Sequence, residues 1–544
     1  MVARTVTSTV RVLETLPALL RGDSRVAVVF AHDPSSAFSD GVLDLLRHAG
    51  CRVMPWSQLR AFRPDLILSA SENVNVPEAT CPVLVLPHGV GFQKFVPRGA
   101  EQGTRLSGVV PEALLASGRA WLAVSHPDQE TQLLRTHPEA VGRTLLVGDP
   151  CFDELSRSLG NASTYRRALG VAEGQRLVVL SSTWGPTSLL GRYPDLPARV
   201  LAALPCDEYR VAAIVHPNVW SAHGAWQIRV IQAAALDAGL LLMPTVHAWR
   251  SALVAADAVV GDHGSVTLYG AALGKPVLLA AFGHDAVPGT AIDRLGQVAP
   301  RLSPGPGKDI RRQIEATLWN HTADHYAEIS AAAFAEPGRA IAQLRAVVYR
   351  LLELAEPEVA APGLKLPRPD PPAAAVTSWM VATSLSVESG HSVVGVRRHP
   401  AAVSGHEHGQ DGHGPDGDYL HLACVDEERD RPRAESASVI LRGCPAATVV
   451  AARAWIRDTL NRLPGSLMAA TAVTGGGYLM GVRDGRVVEV TVTGRAVDAG
   501  LPAAVVYTLL RAGSPLVTDD FVTLRVGSGR EEHVTLRVLA SLSS

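Results

Sequence analysis

VVGDHGSVTLYGAALGKPVLLA, residues Val259–Ala280, holds the local patterns from which the rest of the chain can be read. A short apolar run, Ala258 to Val260, stops at Gly261. The polar turn Asp262-His263-Gly264-Ser265 then opens a stretch whose apolar positions recur at helical spacing. The next apolar run, Pro276 to Ala280, reads as a second buried strand. Strand, turn, helix and strand make a βαβ unit. In such a unit the helix N-terminus presents unpaired backbone N–H groups at the carboxyl edge of a parallel sheet, where a phosphate can sit. Gly264 lets the backbone approach an anion, Ser265 and Thr267 add hydroxyl donors, and Asp262 and His263 complete the turn.

The same alternation extends in both directions from this unit. Arg176–Trp184 (RLVVLSSTW), Tyr209–Asn218 (YRVAAIVHPN) and Gly239–Pro244 (GLLLMP) are short apolar runs ending in small, polar or His residues. Ser181, Ser182, Thr183, His216 and Asn218 are therefore expected along one sheet edge with the 262–267 turn. Upstream, Arg25–Phe30 is an expected first strand, followed by a helix from about Ser36 to His48. Further apolar runs at Cys51–Trp56, Asp65–Ala70 and Cys81–Pro87 complete a doubly wound α/β pattern. The last of these exits into Pro87-His88-Gly89-Val90-Gly91-Phe92-Gln93-Lys94, placing His88 between backbone-freeing glycines at a strand end. Lys94 and Arg98 suit an anionic acceptor. Trp121–Arg135, with Ser125 as N-cap, and Thr144–Leu155 repeat the pattern.

These runs divide the chain into a Rossmann-like domain over 1–155 and a second over 156–354. The helical run after Lys308, through Arg339 to Glu353, is expected to pack back over the first domain. Ala355–Ala375 is Pro-rich and reads as a semi-rigid linker. Residues 376–544 read as a small α+β domain of unassigned role, with one helix over Ala446–Leu463 and a hairpin from GGGYLMGV and GRVVEVTVTG. Within it, His399–His421 is Gly- and His-rich and is expected to be a mobile loop. Its His399, His406, His408 and His413 are more readily read as low-complexity sequence than as metal ligands.

Composition narrows the function classes. The chain has 544 residues, with 50 basic against 52 acidic side chains, so net charge gives no support for broad nucleic-acid binding. Six Cys, at 51, 81, 151, 206, 424 and 444, include no CxxC pair; free thiols in a reducing compartment are expected. The Arg-interrupted start lacks the apolar core of a signal peptide, and no window approaches the ~20 apolar residues that span a bilayer. A cytoplasmic location is expected, with contact at the inner membrane face through a surface patch still open. A GTP-dependent translation factor has no support, because no GxxxxGK[ST] loop occurs.

His88-Gly89, Gly148-Asp149-Pro150 with Asp153, Ser182-Thr183-Trp184, His216-Pro217 and Asp262 through Ser265-Val266 to Lys275-Pro276 occur in the order of motifs in the CDP-glycerol glycerophosphotransferases, polymerases of teichoic-acid type. Over residues 25–350 the chain resembles that family, whose two Rossmann-like domains face a cleft in the GT-B architecture shared with UDP-N-acetylglucosamine 2-epimerases. The resemblance implies a transferase moving a polyol-phosphate or glycosyl group from a nucleotide-linked donor, CDP-glycerol or a UDP-sugar, to a hydroxyl acceptor such as a cell-envelope polymer. It implies no separate cofactor and no dedicated metal. By the same resemblance His88 is a general base and His216 steadies charge on the leaving group. Gly264, Ser265, Thr267, Asp262, His263, Ser182 and Thr183 then hold the donor, while Gly89, Gly91 and Lys94 face the acceptor. Two departures stand out: Val90-Gly91 replaces the family's Thr-Pro, and Tyr269 replaces an acidic residue suited to polyol or ribose hydroxyls. A nucleotide-sugar epimerase and a non-catalytic binding protein of the same fold are the alternatives.

Overall fold

A computed structural model describes the chain except residues 78–79, 98–102, 306, 361–362, 364, 371–374, 407–418, 495–497, 528 and 540–544. Arg98, His408 and His413 lie outside the described residues, as does most of the expected mobile loop.

The stretch around Val259 folds as read. Ala258–Gly261 and Val277–Leu279 pair in parallel on either side of the Ser265–Ala272 helix. They belong to a five-stranded parallel sheet, in the order Leu241–Leu242, Tyr209–Val215, Arg176–Ser182, Ala258–Gly261, Val277–Leu279. The period-two alternation of strands sends Leu177, Val179, Ala212, Ile214 and Val259 into one core, and Val178, Leu180, Val211, Ala213 and Val260 into the other. Burial on both faces is why these strands read as unbroken apolar runs.

The first half carries two parallel sheets. One has three strands, Val2–Ala3, Phe30–His32 and Val53–Pro55; the other has four, Ile67–Ser69, Val83–Val85, Ala120–Val124 and Thr144–Leu146. The expected Arg25–Phe30 strand lies later, at Phe30–His32, and the helix begins at Val42 rather than near Ser36. The N-terminal stretch forms a strand and the Val6–Leu19 helix, started by a Thr5–Ser8 capping box. Val12, Leu16 and Leu19 of this helix share a core with Leu344, Val347 and Val348 of the closing helix Ala340–Leu351, so the end of that run packs over the first half, whereas its earlier helices Ile310–Trp319 and Ala327–Ala333 pack into the cores of the second. Each such buried side chain contributes roughly 1.5–3 kcal/mol.

The C-terminal reading needs correction. Residues 378–539 form a closed nine-stranded barrel rather than a small α+β unit with one hairpin. The hairpin Tyr478–Val482/Val487–Thr493 and the helix Val449–Arg462 are present. Closure comes from the Ser378–Glu388 strand, which pairs with both His391–Pro400 and Tyr419–Val425. The buried helix Gly500–Arg511 shares one core with inward-facing residues of all nine strands. His399 lies in a strand and Ala401–His406 is a 3₁₀ turn whose Val403 enters a core of the second half, so the start of the expected loop is anchored. The linker is anchored too: Leu366 is buried in the other core of that half, and its backbone bonds Tyr165 and Ser158. Among the described residues no helix is long and apolar enough to cross a membrane.

Candidate active site

The strand-end loops of the two α/β halves enclose a cavity of about 510 Å³. His88, Gly89, Gly91 and Lys94 reach it from the first half; Ser182, Thr183, His216, His263, Gly264 and Ser265 reach it from the second. The parallel sheets explain the convergence, because every chain exit at the carboxyl edge opens on the same side. The halves touch within it: the Val90 amide donates to the Ser265 hydroxyl at 3.2 Å. A Cβ at position 89 would lie 2.6 Å from that hydroxyl oxygen, which is the steric reason for Gly89.

The two imidazoles carry opposite roles. His88 Nδ1 lies 3.3 Å from the Ala70 carbonyl oxygen and 3.9 Å from a Glu72 carboxylate oxygen. Both are acceptors, so Nδ1 carries a proton toward them. Burial alone would push the Glu72 carboxyl up, yet His88, local backbone donors and Arg105 together hold it below the usual carboxylate range. His216 is arranged the other way. It caps the Pro217–Ile231 helix, its Nδ1 accepting from the Asn218 amide at 3.1 Å, which leaves the proton on Nε2. Burial pushes its pKa down to about 3 and keeps it neutral near pH 7.

Positive character collects around this pair. The first turn of the Ser265–Ala272 helix has no side-chain cap, so its polarised end faces the cavity. Burial pushes the Lys94 ammonium down against the opposing pull of Asp262 and Asp285. Those two acids belong to the second half, so Lys94 lies between the halves at the cavity. Among the described residues no group of three His, Cys, Asp or Glu is placed to hold a metal.

Two expected donor ligands, Asp262 and Thr267, serve the fold instead, and His263 stands at the wall tied to its neighbours. Asp262 is fully buried and accepts from the amides of Thr183 (2.8 Å), Leu189 (2.8 Å) and Gly264 (3.0 Å). It shapes the turn from behind, and burial pushes its carboxyl up. Thr267 points inward against Gly261 and does not line the cavity. His263, at the wall but 1% exposed, accepts from the Gly283 amide and donates to Asp285 at 3.1 Å. Ser182 and Thr183 remain at the cavity, with the Ser182 hydroxyl tied to the Thr183 carbonyl and the Leu190 amide.

Sequence reasoning missed Arg11, Glu72 and the partners of Tyr269. Arg11, buried in the N-terminal helix, donates to the His88 carbonyl and the Tyr269 hydroxyl, each at 3.2 Å. Tyr269 donates in turn to Asp149 at 2.7 Å. The phenol standing at the acidic position is thus a member of a buried network bracing the His88 loop. An arginine amid the apolar positions of that helix was the one available signal.

No family model matches the chain, and no curated protein matches it. Among solved structures, the wall teichoic acid polymerase TagF aligns at 10% identity and TM-score 0.44, over 65% of this chain and 88% of that one. MnaA of S. aureus with UDP aligns at 11% identity and TM-score 0.41, over 65% and 97%. The UDP-GlcNAc 2-epimerase of Neisseria meningitidis bound to UDP-GlcNAc aligns at 14% identity and TM-score 0.41, over 65% and 98%.

Proposed function

We propose that this chain is a nucleotide-dependent transferase that moves a polyol-phosphate or glycosyl group from a nucleotide-linked donor to a hydroxyl acceptor. The observation that carries the reading is the pair of imidazoles in one cavity with opposite tautomers, one accepting and one donating. With a CDP-polyol donor, the acceptor hydroxyl gives its proton to His88 Nε2 while its oxygen forms a bond to the donor's polyol-bearing phosphorus. The bond from that phosphorus to the bridging oxygen breaks, and CMP leaves with the electron pair. His216 Nε2–H, Lys94 and the helix tip at Gly264–Ser265 steady the departing charge. With a UDP-sugar the same groups serve an attack at the anomeric carbon and the loss of UDP.

The test incubates the purified protein with CDP-glycerol and, separately, with UDP-sugars in the presence of hydroxyl acceptors. Release of CMP or UDP that needs an acceptor is expected, and His88→Ala should cut it by ~10²–10⁴-fold. Sugar interconversion without an acceptor would identify an epimerase instead. Donor binding with no nucleotide release would overturn catalysis in favour of a binding protein.

A further inference from the structure

At the rim of the cavity Phe38, from the first half, meets Trp184, from the second, with ring centroids 5.6 Å apart and planes at 62°. Neither ring belongs to the anion-binding set. Trp184 is 40% exposed and lines the cavity, so part of its indole is open to a ligand there. Both rings stand on fixed stems. The Phe38 amide donates to the Ser36 hydroxyl at 3.2 Å. Trp184 follows Thr183, whose amide is held by Asp262 and whose carbonyl is held by Ser182. Hydroxyl and charged groups lie alongside on the Phe38 side: Ser35, whose amide is tied to Asp33, and the Arg4–Asp33 ion pair at 3.2 Å.

We infer that this corner is the acceptor subsite and that it takes a pyranose ring. The inference rests on the transferase reading above and names its acceptor class. Two rings meeting edge to face form a corner, whereas a planar base is held best in a slot between parallel faces. A puckered sugar ring presents a C–H face to the negative face of the indole while its hydroxyls point outward to polar neighbours. An open-chain polyol phosphate offers no such face. The position also suits an acceptor: the corner joins both halves near solvent, where a long substrate can enter while the donor occupies the interior around His216 and the helix tip.

Binding measurements test this independently of turnover. Saturation-transfer NMR on the full chain would use methyl pyranosides of glucose and N-acetylglucosamine, glycerol 3-phosphate, CMP and UMP as probes. The expected result is transfer to pyranoside ring protons. Trp184→Ala should weaken pyranoside binding about tenfold, the scale of one aromatic contact. Trp184→Phe should restore most of it, and CMP and UMP affinity should hold constant across the set. Phe38→Ala provides a second variant on the other stem. Three outcomes overturn the inference: no pyranoside binding to the wild type, a parallel loss of CMP or UMP affinity in Trp184→Ala, or an equal loss for glycerol 3-phosphate. Pyranoside binding without nucleotide release from any donor would reject the transferase chemistry while leaving the sugar site standing.

Discussion

His88 and His216 are the same residue type placed at the ends of parallel strands, and their backbone partners alone separate their roles. A carbonyl at Nδ1 makes one a proton acceptor toward the cavity; an amide at Nδ1 makes the other a donor. Because His216 stays neutral down to about pH 3, the acid limb of kcat/KM should fall with unit slope as the base protonates. His216→Asn should lower kcat by about 10²–10³-fold and leave that limb in place; a limb of slope two would show that both rings titrate. His421 gives a second test, in stability. It is buried in the barrel against Tyr507 at 3.9 Å, and burial pushes its pKa down to about 3. Between pH 6.5 and about 3 the unfolded chain binds a proton there that the folded chain refuses, so stability rises with pH and is lost on acidification through that window. The full effect is on the order of a few kcal/mol. His421→Phe should flatten the melting temperature against pH over that range by about one proton's worth.

At the scale of the element, the Asp262–Ser265 turn works because one buried carboxylate holds three amides. Asp262→Ala orphans all three and should cost about 2–4 kcal/mol; urea denaturation measures it, and a loss below about 1 kcal/mol would deny the carboxylate that role. Gly89→Ala probes the facing loop. Its methyl would press on the Ser265 hydroxyl and displace the Val90 bond. Nucleotide release should drop by at least about tenfold, while the melting temperature moves little.

In the whole molecule, buried cations join the parts. Arg250 pairs with Glu14 of the first half at 2.8 Å and with Glu154. Arg398 of the barrel pairs with Asp207 of the second half at 2.6 Å and with Asp498 at 2.7 Å, and its carbonyl accepts from the Cys206 amide. Removing that guanidinium leaves Asp207 poorly paired at the contact. Arg398→Ala should cost about 3–5 kcal/mol and split a single calorimetric transition into separate transitions for the barrel and the α/β halves. An unchanged single transition would show that packing, as at Val403, is sufficient to couple them.

The amino-acid order by itself determined the βαβ units, the strand exits that carry His88, His216 and Ser265, and the helix that closes over the first half. Those features follow from periodicity and turn residues among near neighbours. The third dimension decided the rest: Asp262 and Thr267 turn inward, His263 is tied to Asp285 at the cavity wall, Tyr269 joins Asp149 and Arg11, and the C-terminal strands close into a barrel. The Ser265–Val90 bond spans 175 residues and the Arg11–Tyr269 bond 258. Partners at such distances are chosen by packing and by the cost of leaving a buried polar atom unpaired, and no local pattern records that choice.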